Sequence, residues 1–289
     1  MARDENPFQV IVPDRPAGPI LIAVPHAGRD YPAELAGLAR HPIEKLVGLE
    51  DRFADLLIDD AVAAGASAVV ARRARAWIDL NRDPRELDPA MIGFSLDPGR
   101  AILSSKVRGG LGLVPRRLPP LGELWNRRLT AAEIQARLEG VHEPYHHAVA
   151  RLLAAMQHDH GQAVLIDCHS MPALPRDAAG RTIDMVVGDR FGRSANDDVV
   201  DCALMAAVAH GLRAVRNAPY AGGYTLDRHA NRRGGVQAVQ IEFARALYLD
   251  GAGQPIAEGV DRCRSLLADI AARLSALLSR QAGFPIAAE

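Results

Sequence analysis

Two short apolar runs, each delivering a histidine, constrain this chain more than any other feature. Ile20-Leu21-Ile22-Ala23-Val24 leads into Pro25-His26-Ala27-Gly28, and Ala163-Val164-Leu165-Ile166 leads into Asp167-Cys168-His169-Ser170-Met171-Pro172. Runs that are apolar at every position, not at alternate ones, suit strands buried on both faces of a parallel sheet. A polar side chain at the carboxyl end of such a strand points into the crevice where open α/β sheets bind ligands. Two separate strands can thus bring an imidazole each to one crevice. Imidazole is the commonest side-chain ligand of catalytic zinc.

The rest of the pattern alternates strands with helices. Apolar residues at helical spacing predict a helix over 51–65, stopping at Gly65, and Ser67–Ala71 and Ala76–Leu80 read as short strands. Helical periodicity recurs over 130–140, 145–159 and 195–210, the last ended by Gly211. Ile183–Gly188 and Val236–Phe243 read as further strands, and 258–280 as an amphipathic helix. This alternation predicts an α/β class, a three-layer α/β/α sandwich of hydrolase-like type with a mixed, mostly parallel central sheet. With no internal repeat and no evident boundary, residues 1–289 are expected to form a single domain. The Pro- and Gly-rich stretch 83–128 reads as a long excursion over the surface, and long loops in compact domains are often functional covers.

Composition narrows the class. Hydrophobic residues make up 48% of the 289, enough for a sizeable core, and the net charge is −1 with no long run of one sign. Nucleic-acid and membrane-surface roles are not expected from such a balance. The three cysteines, Cys168, Cys202 and Cys263, are too far apart for a cysteine zinc site or a disulfide scaffold. The charged start, Met1-Ala2-Arg3-Asp4-Glu5-Asn6, has no apolar core of a signal peptide, so the expected setting is the cytoplasm.

A catalytic zinc site takes three protein ligands and keeps one position open. His26 and His169 are the first two. For the third, Asp51 is favoured over Glu50, and both over Asp30; Glu50 and Asp51 also stand where carboxylates suit a helix dipole. Asn81 and Arg82, in Asp79-Leu80-Asn81-Arg82, form a candidate clamp for a substrate carboxylate. Asp79 reads either as a partner steadying a metal histidine or as the mate of Arg82 in a buried ion pair. In Gln240-Ile241-Glu242-Phe243, Glu242 shares a strand face with Gln240, and beside an activated water it would serve as general base. The turn Tyr220–Thr225 and the basic stretch after it add Tyr224, Arg228 and Arg232 as candidate substrate contacts. His142 and His146 share a helix face but lack the glutamate of a His-Glu-x-x-His motif. They, with His147, are expected on the helix surface. Phosphate-binding glycine loops and a Gly-x-Ser-x-Gly elbow are absent from the sequence.

The succession PHAGRDYP, LEDRFADLL, WIDLNRDPRELDP, LIDCHSMP, DMVVGDRFG, PYAGGYT and VQIEFARALYLD, from about Val12 to Leu249, resembles the N-formylglutamate amidohydrolases. That family is similar in turn to the zinc carboxypeptidase and aspartoacylase group. The resemblance implies His26 and His169 as metal ligands, Asn81 and Arg82 as the carboxylate clamp and Glu242 as the base. It further implies a divalent metal, zinc first, and hydrolysis of N-formyl-L-glutamate or another small acidic N-acyl amino acid. One position departs from the group's pattern: Arg29 stands three residues after His26, where the group carries a glutamate ligand. A metal-free protein that sequesters an acidic ligand on the same fold is the rival expectation.

Overall fold

The apolar runs become buried strands. The computed structural model describes residues 6–14, 16, 18–97, 99, 101–176 and 179–282. The start of the chain up to Glu5, where the absence of a signal peptide is expected, lies outside the described residues. The strands are β1 (Phe8–Ile11), β2 (Ile20–Val24), β3 (Ser67–Ala71), β4 (Arg117–Leu118), β5 (Gly122–Glu123), β6 (Ala163–Met171), β7 (Met185–Gly188), β8 (Ala214–Arg216) and β9 (Val236–Ala244). Seven of them form one sheet in the order β1-β3-β2-β6-β9-β7-β8, while β4 and β5 pair separately. β2 with β6, β6 with β9 and β7 with β8 are parallel, and β7 with β9 is antiparallel. Every residue of β2, β6 and β9 is buried, which is why those strands carry apolar residues on both faces. The result is the expected three-layer α/β fold with a mixed, mostly parallel sheet.

The helices are α1 (Ala33–Leu38), α2 (Asp59–Ala63), α3 (Ser105–Arg108), α4 (Ala131–Arg137), α5 (Glu143–His160), α6 (Asp197–Ala209), α7 (Tyr224–His229) and α8 (Ala257–Ala282). The long α8 buries Cys263, Leu266, Leu267, Ile270, Leu274 and Leu278, a stripe at helical spacing that packs on α2 and α6. Among the described residues no helix is long and apolar enough to cross a membrane.

Contacts within the chain divide it into two compact units. One is built mainly of 25–52 and 70–147 and has its own apolar cluster, with Leu35, Leu46, Met91, Ile92, Val114, Leu124, Trp125 and Leu129 buried together. The loop-rich stretch 83–128 thus supplies Met91, Ile92, Val114, Leu124 and Trp125 to this core. The other unit, mainly 10–24, 53–69 and from Ala148 onward, contains β2, β6, β7, β8 and β9 with α2, α6, α7 and α8.

Three local expectations are corrected. The helix read over 51–65 is cut short: Phe53 takes a left-handed φ of 61°, and only a 3-10 turn (Ala54–Ile58) and α2 follow. Asp51 lies ahead of them, its N–H donated to the His26 carbonyl at 3.0 Å. Ala76–Leu80 is buried except for the half-buried Trp77 but is not a strand, because its backbone groups bond to side chains and loops instead of a neighbouring strand. The helices expected at 130–140 and 145–159 run on as one through a wide π-type turn at Leu138–His142. α4 starts where expected because Thr130 and Glu133 form a reciprocal capping box.

Candidate metal centre and active site

β2 and β6 lie side by side with Ile20 to Ala23 in register with Val164 to Asp167. The chain leaves β2 and reaches His26 two residues later, while β6 stays extended through His169. Gly28 lets the chain beyond His26 turn against its neighbour: a Cβ there would sit 2.1 Å from the Arg73 carbonyl oxygen. The Asp51 Oδ2 lies 3.2 Å from His26 Nδ1. One ligand atom each from His26, Asp51 and His169 lie within 4.8 Å of one another, and all three residues are buried. Tetrahedral zinc, with bonds of about 2.0–2.1 Å, spaces its ligand atoms about 3.3 Å apart.

The other expected ligands point elsewhere. Glu50 is buried but accepts from Tyr31 Oη at 2.5 Å and from Arg52 at 3.2 Å. Burial pushes its pKa up, against the opposing pull of Tyr31 and Arg52; burial and the Glu50 carboxylate also push up the Tyr31 hydroxyl. Asp30, part-exposed, pairs with Arg73 at 3.3 Å.

Each histidine is steadied by a carboxylate. His26 Nε2 lies 2.7 Å from Asp79 Oδ1, and His169 Nε2 lies 2.9 Å from Asp167 Oδ2. Asp79 has no solvent exposure. Burial works to raise its pKa, but the charges of Arg75 and Arg82 and the interaction with His26 outweigh that and hold it well below the usual carboxylate range. An ionised Asp79 accepts only, so His26 Nε2 carries the hydrogen. His26 Nδ1, on the other side of the ring, faces the Asp51 carboxylate, and a cation would find both as donors. The donor set fits a metal on chemistry as well as on spacing.

Asp79 also receives Arg75 Nε and Nη2, both at 2.8 Å, and the Asn81 N–H at 2.9 Å. Asp79 thus contacts both partners left open from sequence, His26 and Arg82, with Arg75 the nearer cation and Arg82 Nη2 at 3.8 Å. Arg82 donates Nε to the Leu111 carbonyl at 2.8 Å and Nη1 to the Asn81 carbonyl at 2.6 Å. Contrary to expectation, His142 and His146 are buried, and only His147 is exposed. His146 Nε2 donates to the Leu80 carbonyl and His142 Nε2 to the Arg82 carbonyl, each at 2.9 Å, bracing the 79–82 segment.

On β9, Glu242 is in register with His169 on β6, and adjacent strands are about 4.8 Å apart. Glu242 is buried and accepts from Gln240 Nε2 at 2.8 Å. Tyr224 and Arg228 share α7, which packs against β6 and β9; Arg228 Nη1 donates to Tyr224 Oη at 2.8 Å. Arg232 is not brought to this end. It sits beside the start of β9, six residues or roughly 20 Å of strand from Glu242. Sequence reasoning assigned no role to Asp167 or Arg75. Asp167 was detectable, since residues two apart on a strand share a face; Arg75 carried no such signal.

A family model described as N-formylglutamate amidohydrolase matches residues 18–249. The N-formylglutamate deformylase of Pseudomonas aeruginosa is 31% identical over 90% of this chain and 93% of its own. That of Pseudomonas putida is 30% identical over 80% and 82%. A crystal structure of N-formylglutamate amidohydrolase from Ralstonia eutropha JMP134 superposes with a TM-score of 0.86 at 28% identity, covering 96% of this chain and 99% of that one.

Proposed function

The chain belongs to the N-formylglutamate amidohydrolase family, and on that premise we propose that it hydrolyses N-formyl-L-glutamate to formate and L-glutamate with the help of a divalent metal, zinc first. The observation that carries this reading is the convergence of His26, Asp51 and His169, all buried, on one small volume. An ion held there supplies Lewis acidity and makes a nucleophilic water available at a pKa of about 7.

The chain's own residues do the rest. Asp79 and Asp167, each against the Nε2 of its histidine, would orient the two imidazoles so that the Nδ1 side could hold an ion. Glu242, beside His169, takes a proton from the attacking water and passes it to the departing amine nitrogen. The water oxygen then remains in formate, and the C–N bond is broken. Asn81 and Arg82 receive one carboxylate of the substrate; the two backbone carbonyls that hold Arg82 orient its guanidinium in advance. Arg228, with Tyr224, is the anchor assigned to the second carboxylate, in preference to Arg232 at the far end of β9. The cytoplasm is the proposed setting, in keeping with three buried cysteines that form no disulfide.

Elemental analysis of untreated protein, together with turnover of N-formyl, N-acetyl and N-succinyl derivatives of glutamate and aspartate, tests the proposal. We expect one equivalent of metal and a marked preference for N-formylglutamate. Equal turnover across the panel overturns the substrate assignment. Absence of both metal and zinc-restored hydrolysis overturns the mechanism in favour of a binding protein.

A further inference from the structure

At the opposite end of β9 from Glu242, an open groove of about 510 Å³ is lined by Arg193, Asn196, Ala230, Asn231, Arg232 and Arg233. It contains three guanidinium groups and no carboxylate. Among the described residues, none of the three arginines forms an ion pair. Arg193 Nε donates to the Arg190 carbonyl at 3.1 Å. Arg232 donates Nε to Asn196 Oδ1 at 2.9 Å and Nη1 to the Gly192 carbonyl at 2.5 Å, with Nη2 also on Asn196 Oδ1. These acceptors are neutral, so they fix the position of Arg232 without cancelling its charge.

Both walls are held rigid. Arg190, Phe191 and Gly192 take consecutive left-handed φ values of 55°, 56° and 81°, which non-glycine residues keep only where their surroundings impose it. Asp189 imposes it here: buried, it accepts from the Gly192 N–H at 3.0 Å and from Arg216 and Asn217 at 2.5 Å each. Arg190 is clamped by Asp227 through two bonds of 2.8 and 2.6 Å. On the other wall, Asn231 bridges to Val236 and caps the Gly234 N–H at 3.1 Å. A ligand would meet cations already in place, which lowers the ordering cost of binding.

We propose that Arg193, Arg232 and Arg233 form a binding site, separate from the metal centre, for a small oxyanion of the phosphate type with two or more negative charges. Planar guanidinium groups suit such oxygens. With no carboxylate in the lining to receive an ammonium group, the site disfavours free amino acids, so glutamate is not its ligand.

Calorimetric titration of the full chain with inorganic pyrophosphate at low ionic strength tests this, run on untreated and on metal-stripped protein. We expect one site of equal affinity in both, weakened at least about tenfold by Arg193→Ser and by Arg233→Ser, both exposed substitutions, and unchanged by Arg151→Ser on α5. Removing one charge-assisted hydrogen bond corresponds to about a tenfold change. Binding that survives the Arg193→Ser/Arg233→Ser double variant but disappears with the metal places the anion at the metal centre and overturns the proposal. Equal weakening by Arg151→Ser reduces it to non-specific charge, which also overturns it. A parallel titration with glutarate distinguishes phosphate from carboxylate: tighter binding of glutarate overturns the phosphate assignment.

Discussion

Replacing Asp79 by Asn separates the roles that this carboxylate combines. The substitution keeps the shape and removes the charge. The amide oxygen that Asp79→Asn introduces can still accept from His26 Nε2 across the 2.7 Å contact. The amide N–H₂ must then face Arg75, whose Nε and Nη2 both lie at 2.8 Å from the other carboxylate oxygen. The alternative flip satisfies Arg75 and sets two N–H groups against each other at His26. Either choice leaves one donor opposed. Loss of an orienting carboxylate behind a metal histidine typically costs about 10–100-fold in metal affinity, or about 1.4–2.7 kcal/mol. Breaking a buried ion pair costs about 3–5 kcal/mol of folding stability. The Arg75 side chain is 14% exposed and can recover part of its hydration, which points to the lower figure, about 3 kcal/mol. Competition against a chelating dye measures the first quantity, and urea unfolding of metal-stripped protein measures the second. A variant that binds zinc within about threefold of the parent, less than the tenfold minimum for such a carboxylate, would refute the steadying role of Asp79, whatever its stability.

His169→Ala is expected to lose both metal and turnover while keeping its circular dichroism spectrum; retained zinc in elemental analysis removes His169 from the ligand set. Glu242→Gln should keep a full complement of metal and lose about 100-fold or more in kcat, the scale of a missing general base; a loss confined to KM contradicts the role. Arg82→Ala should raise KM for N-formylglutamate far more than for neutral formyl amino acids, and equal effects on both dismiss the clamp. His229 is held down to about 3 by burial and, to a lesser degree, by the Arg228 charge. The folded ring therefore stays neutral while the unfolded chain protonates below about 6.5, so its stabilisation is full above that pH and declines toward pH 3 by up to about 1.4 kcal/mol per unit. Urea midpoints at pH 7 and pH 5 should converge in His229→Gln relative to the parent, and identical pH slopes contradict the assignment.

What could be read from the sequence, and what could not, follows from the range of the interactions involved. β2 and the first half of β6 are legible because strands buried on both faces carry unbroken apolar runs, Ile20–Val24 and Ala163–Ile166, β9 because apolar residues outnumber its polar ones, and α8 because its one buried face recurs at helical spacing. Two of the three proposed metal donors, His26 and His169, stand out because each follows an apolar run that becomes a buried strand, β2 and β6, and these strands are neighbours. Asp51 was favoured only as a carboxylate near a helix start. Its actual placement comes from a backbone bond to His26, twenty-five residues earlier, made ahead of the 3-10 turn at Ala54–Ile58. The segment around Asp79 misled for the same reason. Trp77, Ile78 and Leu80 carry the composition of a strand, yet among the described residues no strand pairs with them. The Trp77 carbonyl is met by Arg137 at 2.7 Å, with that guanidinium 3.9 Å from the Trp77 ring centroid, and the Leu80 and Arg82 carbonyls by His146 and His142. These donors lie sixty or more residues away, on a helix whose π-type turn spans Leu138–His142. A local window counts apolar residues but is blind to distant side chains that satisfy the backbone in place of a neighbouring strand. Freed from the geometry of a ladder, this buried segment can turn Asp79 toward His26 and Arg82 beside it. The misreading of its secondary structure and its suitability for the active site thus have one cause: side chains, not strands, hold its backbone.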